Sequence, residues 1–336
     1  MKFLITGANG FIGSHLSVKL ANEGHTVIGI ARRPDSKNPE YNRLVREGKI
    51  IHIKGDVSSF DFSLIKEENI DQIIHIAGVV APFGKFEHFL RVNLGGTKKL
   101  LEYAKSKGVK CFTYYSSVAV YGYGGYVGLK EDAPKPAFCD PYSKSKLITE
   151  REVVRYCKEV NMDYVIIRPG NVFGEYDFTS SDEIYRRIKN GNMPICGGGK
   201  YKSCFVYVKN LVNATAHVAL NKECHNQDYN VTDGENETLK EYLTMVAQEL
   251  KVKPKFTNVV APIAKFAASF VEFIYKLFRI KKVPLITKFS VWQNCNHYNF
   301  DISKLFSTGY KKEYTIKEGV ENTAKWFMEE VYEGKN

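Results

Sequence analysis

The sequence predicts an α/β protein that has a doubly wound parallel sheet and a smaller C-terminal lobe. Short apolar segments alternate with helix-like segments through the first half of the 336 residues, which is the pattern of a parallel sheet covered by helices. A glycine-rich turn also separates the first apolar segment from the first helix. We place the sheet domain at residues 1–175 and the smaller lobe at 176–336, with segments near 204–215 returning to the first domain.

The individual elements follow from hydrophobic periodicity and from turn residues. The chain begins with a predicted strand at 2–6, a helix at 14–24 and a second strand at 25–31. Further strands are predicted at 49–57, 72–78 and 110–117, a later strand and loop at 164–174, and further helices at 62–70 and 89–108.

Composition and charge restrict the class of protein. The chain is 44% hydrophobic and 25% charged, and its formal net charge is +11. This charge suits a phosphorylated cofactor, an acidic membrane surface or nucleic acid. The basic residues are dispersed, however, and no nucleic-acid-binding motif is present, so we expect no nucleic-acid partner.

The expected location is cytoplasmic. No apolar stretch reaches the roughly 18 residues that span a bilayer, and the first residues resemble a strand, not a targeting peptide. The seven cysteines are scattered singly, without a CxxC pair. This arrangement favours a reducing compartment over a disulfide framework and predicts no structural metal site.

The segment "GANGFIG" places glycines at positions 7, 10 and 13. In a strand–turn–helix unit, the first glycine allows a tight turn and the second lets the backbone approach a pyrophosphate. The third packs the helix against the sheet, and the helix N-terminus faces the phosphates. Such glycines also occur in ordinary turns, but their position between a strand and a helix predicts a dinucleotide site.

The end of the second predicted strand indicates which dinucleotide binds. An acidic residue there usually holds the ribose hydroxyls of NAD, but this chain has Ala31 followed by Arg32 and Arg33. Two guanidinium groups suit a 2′-phosphate. The alternative is a pair of solvated arginines in a surface loop. We favour NADP(H) over NAD(H).

The segment "DPYSKSK" carries a candidate acid–base pair, Tyr142 and Lys146. Residues four apart share one face of a helix, and Asp140 can cap the helix so that Tyr142 lies in its first turn. The helix dipole and the Lys146 ammonium are expected to lower the pKa of Tyr142 towards that of a working acid–base group.

Two other tyrosine–lysine pairs have the same spacing, Tyr103/Lys107 and Tyr185/Lys189. Only Tyr142 follows a strand that ends in serine and begins a capped helix. We expect the other two tyrosines to be surface residues on helices.

The motifs together resemble the extended short-chain dehydrogenases/reductases. They are "TGANGFIG", "GDV", "HIAG", "VNLGGT", "YSSVAVYG", "PYSKSK" and "IIRPGNVFG", in this order. The resemblance covers nearly the whole chain and is most specific in the first two-thirds. It implies a Rossmann-type fold, and the group includes sugar-nucleotide epimerases, dehydratases and 3β-hydroxysteroid dehydrogenase-like enzymes.

The resemblance also assigns roles to individual residues. It implies that Ser117 binds the substrate oxygen, that Tyr142 exchanges a proton with it, and that Lys146 holds the nicotinamide ribose. The coenzyme residues it implies, from pyrophosphate through adenine to nicotinamide, are Gly7, Gly10, Phe11, Ile12, Gly13, Asp56, Val57, Ala77, Gly78, Asn93, Pro169, Asn171 and Val172. Asp56, Ala77, Gly78 and Ser117 also lie at the carboxyl ends of predicted strands, where parallel sheets bind ligands.

Departures from the family pattern bear on the substrate. Where the sugar-nucleotide enzymes carry an arginine for the phosphates, this chain has Ser203 and Cys204, and nearby lysines are poor substitutes for a bidentate guanidinium. Val118 and Ala119 stand where dehydratases carry acids. The segments around Asn210 and at 298–327 resemble the hydroxysteroid dehydrogenase-like branch.

The segment 261–282 predicts an amphipathic helix followed by basic residues. Ile263, Phe266, Phe270, Phe273 or Ile274, and Leu277 fall on one face. Such a helix could contact an anionic membrane surface or cover an apolar pocket. The alternative is packing of this face on its own lobe or on a partner subunit, as is usual for amphipathic helices.

These observations predict an NAD(P)-dependent enzyme that transfers hydride at a secondary alcohol or ketone of a bulky, lipophilic small molecule. The alternative is a sugar-nucleotide epimerase that uses the same serine, tyrosine and lysine. A non-catalytic cofactor-binding regulator on the same fold is the third interpretation. The family resemblance favours a homodimer.

Overall fold

The computed structural model describes residues 1–66, 69–81, 83–123, 125–135, 140–278, 280, 284 and 286–333. The strands are β1 Lys2–Thr6, β2 Thr26–Ala31, β3 Ile50–Lys54, β4 Gln72–His75, β5 Cys111–Tyr115, β6 Tyr126–Leu129, β7 Asp163–Pro169, β8 Asn171–Phe173, β9 Met193–Cys196, β10 Phe205–Tyr207, β11 Gln227–Val231, β12 Phe256–Val259 and β13 Tyr298–Phe300. The α-helices are α1 Phe11–Asn22, α2 Pro39–Arg46, α3 Phe86–Phe89, α4 Gly96–Ser106, α5 Pro141–Glu159, α6 Ser180–Lys189, α7 Val208–Leu220, α8 Leu239–Glu249, α9 Ala261–Leu277, α10 Lys288–Asn294, α11 Ser303–Ser307 and α12 Ile316–Trp326.

A seven-stranded parallel sheet forms the centre of the molecule, in the order β3-β2-β1-β4-β5-β7-β11. Its order reverses between β1 and β4, which confirms the doubly wound α/β fold. Strand β11 comes from the C-terminal part of the chain, beyond residue 175. The division at residue 175 therefore stays a prediction about domains, while the sheet itself draws on both parts.

Helices cover both faces of the sheet, which explains why most of its strands are rich in apolar residues. On one face, α1, α2 and α7 pack on Phe3 and Ile5 of β1. On the other face, α4 and α5 pack on Leu4. The side chains of β1 alternate between the two cores, as the twofold period of a strand requires.

The C-terminal lobe has its own core, which the helices α6, α8 and α12 form with the short β8–β10 pair. Helices α8 and α12 both begin with a capping box, at Thr238 and Thr315. In each, the threonine accepts a main-chain N–H of the first turn and a glutamate bonds back to the cap.

Three predictions about local structure are wrong. The crossover helix expected at 62–70 is only a 3₁₀ turn at Phe62–Leu64 among the described residues, and residues 67–68 lie outside them. The single helix expected at 89–108 is divided, with a π-helical segment at Leu90–Gly95 between α3 and α4. Tyr103 and Tyr185 lie on helices but are buried in cores, because each ring packs against neighbouring aromatic side chains.

The expectation of unpaired cysteines is also wrong for one pair. A disulfide joins Cys196, at the end of β9, to Cys295, which follows α10. These residues are 99 positions apart, so no local spacing pattern could reveal the pair. The other described cysteines are free and buried.

The apolar face of α9 does not pack on its own lobe. Ile263, Phe266, Phe270, Phe273 and Leu277 are all more than half exposed. The contact with the lobe is made by small residues of the opposite face, such as Ala264 and Ala268. Among the described residues, no helix has the length and apolar character needed to cross a bilayer.

Candidate functional site

The glycine turn is shaped to receive an anion. Gly7 has φ +70°, and a Cβ on Gly13 would collide with the main-chain oxygen of Gly7. The turn therefore brings α1 against β1, and α1 begins at Phe11 without a side-chain cap. The first N–H groups of a helix lack partners within it, and the dipole is positive there. A pyrophosphate fits this cradle, and Phe11, Ile12 and Gly13 supply the free N–H positions.

The loop after β2 is fastened to the glycine turn by Asn9, a residue that sequence reasoning missed. The Asn9 side-chain amide donates to the main-chain oxygens of Arg33 and Asp35, at 2.7 and 3.0 Å. Ala31 is buried at the strand end, while Arg32 and Arg33 are exposed. Among the described residues, neither guanidinium has an ion-pair partner. Both are therefore available to an anionic ligand.

At the adenine end, Asp56 and Val57 follow β3. The Asp56 carboxylate accepts hydrogen bonds from the hydroxyl and the N–H of Ser58, which lower its pKa. Val57 is buried against the backbone of Gly96 at the start of α4. Asp56 and Val57 are therefore held in place at the end of β3, and the Asp56 carboxylate is ionised at neutral pH.

Asn93 connects the loop after β4 to α5. Its side chain accepts from the N–H of Val79 at 2.7 Å and donates to the hydroxyl of Ser145 at 2.9 Å. Asn93 lies in the π-helical segment, a type of distortion that is frequent at functional sites. It also borders Gly78, where a Cβ would lie 3.1 Å from the Asn93 oxygen. Ala77 borders Gly7 in turn, so the two predicted coenzyme-binding stretches meet.

Helix α5 begins as the sequence predicts. Asp140 caps it by accepting the N–H of Ser143 at 2.9 Å, and Pro141 is its first residue. Tyr142 is therefore in the first turn, buried and near Ser117. The Ser117 hydroxyl accepts the N–H of Ala119, which fixes its position after β5.

The expected lowering of the Tyr142 pKa is wrong for the protein without coenzyme. Burial raises the pKa of Tyr142 to about 12, and the Asp140 carboxylate raises it too, while interaction with Ser117 lowers it. The Lys146 ammonium is directed elsewhere, since it donates to the main-chain oxygen of Tyr115 at 2.7 Å. Tyr142 is thus a protonated phenol at neutral pH.

Lys146 is itself buried, beside Gly78 and 5.0 Å from the ring centre of Tyr114. Burial lowers its pKa to about 8, although the Glu150 carboxylate acts in the opposite direction. The amine is near Gly78, at the predicted nicotinamide end of the cleft. It can therefore hold a ligand hydroxyl there.

Pro169, Asn171 and Val172 lie at the β7–β8 junction. The N–H of Asn171 donates to the main-chain oxygen of Cys204 at 2.7 Å, and its side-chain oxygen accepts from Gln293 of α10. Nothing in the sequence pattern pointed to Gln293, because α10 is more than 100 residues away from Asn171. The junction and α10 thus form one side of the candidate site.

Behind the site is a buried ion pair that sequence reasoning also missed. Arg168 makes two hydrogen bonds to the Glu150 carboxylate, at 2.7 and 3.1 Å. Glu150 also accepts the Ser116 hydroxyl at 2.6 Å, and Asp228 lies 2.5 Å from the guanidinium. Glu150 is one turn after Lys146, on the same face of α5. That helical spacing could have identified it.

The surroundings of Tyr142 are apolar and aromatic. The ring centres of Phe89 and Phe289 lie 6.5 and 6.2 Å from that of Tyr142. Cys204 is buried in the same cluster, whose other members include Val118, Tyr123, Leu147 and Tyr298. Lys202 donates to Asn236, and Lys200 lies over the Tyr201 ring. Neither lysine takes the place of a phosphate-binding arginine in this cluster.

A family model with the description "NAD dependent epimerase/dehydratase family" matches residues 3–232. Two relatives match over most of their length. A 3β-hydroxysteroid dehydrogenase/Δ5→4-isomerase of Mycobacterium tuberculosis is 27% identical, over 74% of this chain and 69% of its own. The N-acetyl-α-D-glucosaminyl-diphospho-ditrans,octacis-undecaprenol 4-epimerase of Escherichia coli O157:H7 is 26% identical, over 96% and 94%.

Among solved structures, the chain is similar to a UDP-N-acetylglucosamine 4-epimerase from Methanobrevibacter ruminantium M1 in complex with UDP-N-acetylmuramic acid. The TM-score is 0.80 at 23% identity, and the match covers 98% of this chain and 99% of the other. At this identity the similarity establishes the fold.

Proposed function

Because the chain belongs to the NAD dependent epimerase/dehydratase family, we propose that it is an NADP(H)-dependent oxidoreductase acting on a ketone or secondary alcohol of a bulky, lipophilic substrate. The observation that carries this proposal is the apolar cluster around Tyr142, which includes Cys204. A sugar nucleotide needs charged partners for its diphosphate, and burying a diphosphate against apolar side chains is costly. A lipophilic ketone fits the same surface.

Tyr142, Ser117 and Lys146 have separate roles in the proposed reaction. A bound nicotinamide coenzyme supplies or accepts the hydride. In the direction of reduction, the Tyr142 hydroxyl gives its proton to the carbonyl oxygen as the carbonyl carbon gains the hydride, and the product is an alcohol. Ser117 donates a hydrogen bond to the same oxygen. Lys146, an ammonium at neutral pH that lies beside Gly78, would hold the nicotinamide ribose.

The preference for NADP(H) over NAD(H) is supported by the two exposed guanidinium groups of Arg32 and Arg33. Ala31 leaves the ribose hydroxyls of NAD without the carboxylate that usually binds them. Asn9 supports this geometry because it fixes the main chain of the loop that carries both arginines.

A sugar-nucleotide epimerase is the second candidate. The similarity to a UDP-N-acetylglucosamine 4-epimerase over nearly the whole chain favours it. An epimerase of this type would use Ser117, Tyr142 and Lys146 to oxidise and then reduce one carbon. It would retain its coenzyme tightly and show no net change of reduced coenzyme during turnover.

The test is reduction of steroid-like and alkyl ketones with NADPH, alongside epimerisation of UDP- and GDP-sugars, by the protein and its Tyr142→Phe variant. We expect ketone reduction, and a fall in kcat of about a hundredfold or more in the variant. The matched control is Tyr103→Phe, which removes a buried tyrosine hydroxyl with the same spacing to a lysine. Epimerisation without ketone reduction would reverse the choice. Full activity of Tyr142→Phe would contradict the catalytic assignment of Tyr142. Coenzyme binding without either activity in the wild-type protein would favour a non-catalytic regulator.

The proposal also includes a homodimer, a cytoplasmic location and peripheral membrane contact through residues 261–282. The free, buried cysteines support a cytoplasmic location, whereas the disulfide between Cys196 and Cys295 counts against it. The homodimer rests on the family resemblance. Light scattering of the purified protein tests the oligomeric state.

A further inference from the structure

The apolar face of α9 points away from the protein, whereas the apolar face of an amphipathic helix in a globular protein usually faces the core. Phe266 is 73% exposed, and Phe270, Phe273 and Leu277 follow it on the same outward face. The rings of Phe266 and Phe270 stack on each other in this exposed position. Contiguous exposed apolar surface of this kind is characteristic of an interaction site.

The polar and small residues of α9 attach it to the rest of the molecule. Ala268 is fully buried against α10, and the Glu272 carboxylate accepts the main-chain N–H of Lys288 at 2.7 Å, at the first turn of α10. Lys265 donates to the side chain of Asn296. The orientation is therefore fixed by specific contacts, and the apolar face is turned outward by them.

The segment that contains α9 is strongly cationic. Between residues 250 and 300 the sequence has nine lysines and arginines and a single acidic residue, Glu272. Glu272 is buried under α10, so the described surface of this segment presents lysines without carboxylates. A strongly cationic segment that also carries an exposed apolar strip complements an anionic phospholipid surface, where apolar side chains enter the acyl boundary and lysines meet the headgroups.

The same helix is close to the candidate active site. Tyr275 of α9 makes an edge contact with the ring of Phe83, which lies in the loop after β4. The same loop contains Val79, whose N–H bonds to Asn93. Helix α10, on which α9 rests, contributes Phe289 to the surroundings of Tyr142. One layer of helix therefore separates the outward apolar face from the catalytic tyrosine.

We propose that the outward face of α9, centred on Phe266 and Phe270, docks the protein on an anionic phospholipid bilayer and presents the site around Tyr142 to a substrate dissolved in that bilayer. The docking follows from the surface alone, and the lipid-borne substrate rests on the proposed oxidoreductase function. The protein then lies on one leaflet as a peripheral protein, and its substrate reaches Tyr142 from the lipid side.

The experiment is flotation of the full-length protein with vesicles of phosphatidylcholine, with and without about 30% phosphatidylglycerol. The variant is Phe266→Glu, and the matched control is Leu64→Glu, which changes a similarly exposed residue far along the chain, in the 3₁₀ turn after β3. We expect binding to the anionic vesicles, weakened by salt. Phe266→Glu should reduce the partition coefficient about tenfold or more, and Leu64→Glu should leave it within about twofold.

Three results would overturn the proposal. The first is wild-type protein that does not float with anionic vesicles, and the second is equal flotation of wild type and Phe266→Glu. The third is a concentration-dependent dimer, seen without vesicles and abolished by Phe266→Glu, because a second copy of the chain would then cover the face. Both variants should keep the thermal stabilisation by NADPH, which shows that they are folded. Tyr142→Phe should float like wild type, so loss of turnover and loss of docking are separable.

Discussion

Gly13 packs against the main-chain oxygen of Gly7 so closely that a Cβ at position 13 would lie 2.8 Å from the Gly7 carbonyl carbon. The contact holds the start of α1 beside the end of β1. We expect Gly13→Ala to push the helix away from the turn, to destabilise the protein by about 2 kcal/mol or more, and to weaken coenzyme binding at least about tenfold. Urea denaturation and fluorescence titration with NADPH measure the two effects.

The control for this change is Gly95→Ala. Gly95 has helical φ and ψ, and a Cβ there would meet its nearest atom only at 3.8 Å. The substitution should be tolerated in both measurements. Unchanged NADPH binding in Gly13→Ala would contradict the assignment of the turn to the pyrophosphate.

Arg32 and Arg33 should distinguish the two coenzymes. Each charge-assisted hydrogen bond to a 2′-phosphate contributes about 1.5–3 kcal/mol. The double variant Arg32→Ala/Arg33→Ala should therefore raise the Kd for NADPH about tenfold or more and leave the Kd for NADH within about threefold. Arg46→Ala, an exposed arginine on α2, controls for net charge. Parallel losses for both coenzymes would rule out recognition of the 2′-phosphate.

Lys146 gives a pH dependence whose sign follows from its burial. Its pKa falls from 10.5 to about 8 in the folded protein. Between these values the unfolded chain binds more protons, so this group makes the free energy of unfolding rise as pH increases from about 8 to 10.5. Relative to Lys146→Met, the rise should be about 3 kcal/mol. Chemical denaturation of both proteins without coenzyme measures it, and parallel pH profiles would contradict the lowered pKa.

Removing the charge of Glu150 alone, while its buried partner Arg168 stays charged, should lower the free energy of unfolding substantially. Glu150→Gln leaves the buried guanidinium with less compensation and is expected to cost about 3–5 kcal/mol. The matched control is Glu159→Gln on the same helix, which breaks the exposed pair with Arg155 and should cost less than about 1 kcal/mol. If both variants lose the same free energy of unfolding in urea denaturation, the buried pair of Glu150 contributes no more to stability than the exposed pair of Glu159.

Six of the seven strands of the sheet could be predicted from the sequence because their information is local: each contains a short apolar run, and the cap at Asp140 is where the sequence places it. The seventh strand, β11, has the sequence QDYNV, in which apolar periodicity is absent, and it was not predicted. Within the described residues, the strand ends also bring Gly7, Ala77 and Gly78 together, as the topology of a parallel sheet requires.

The misses depend on contacts between distant residues. Burial raises the pKa of Tyr142, and two of the rings around it, Phe89 and Phe289, lie far from it in the sequence on either side, so no spacing around residue 142 contains that information. The disulfide and the contact of Gln293 with Asn171 are of the same kind. For α9, periodicity identified the apolar face, but only the fold determines which face its neighbours cover.

The bridge between Cys196 and Cys295 closes a covalent ring, and α9 lies inside it. If α9 is pulled away from the molecule, unfolding can extend only the residues between the two cysteines before the covalent bond at the ends of β9 and α10 resists further extension. When a thiol reduces this bond, that limit is absent and only non-covalent contacts resist the extension.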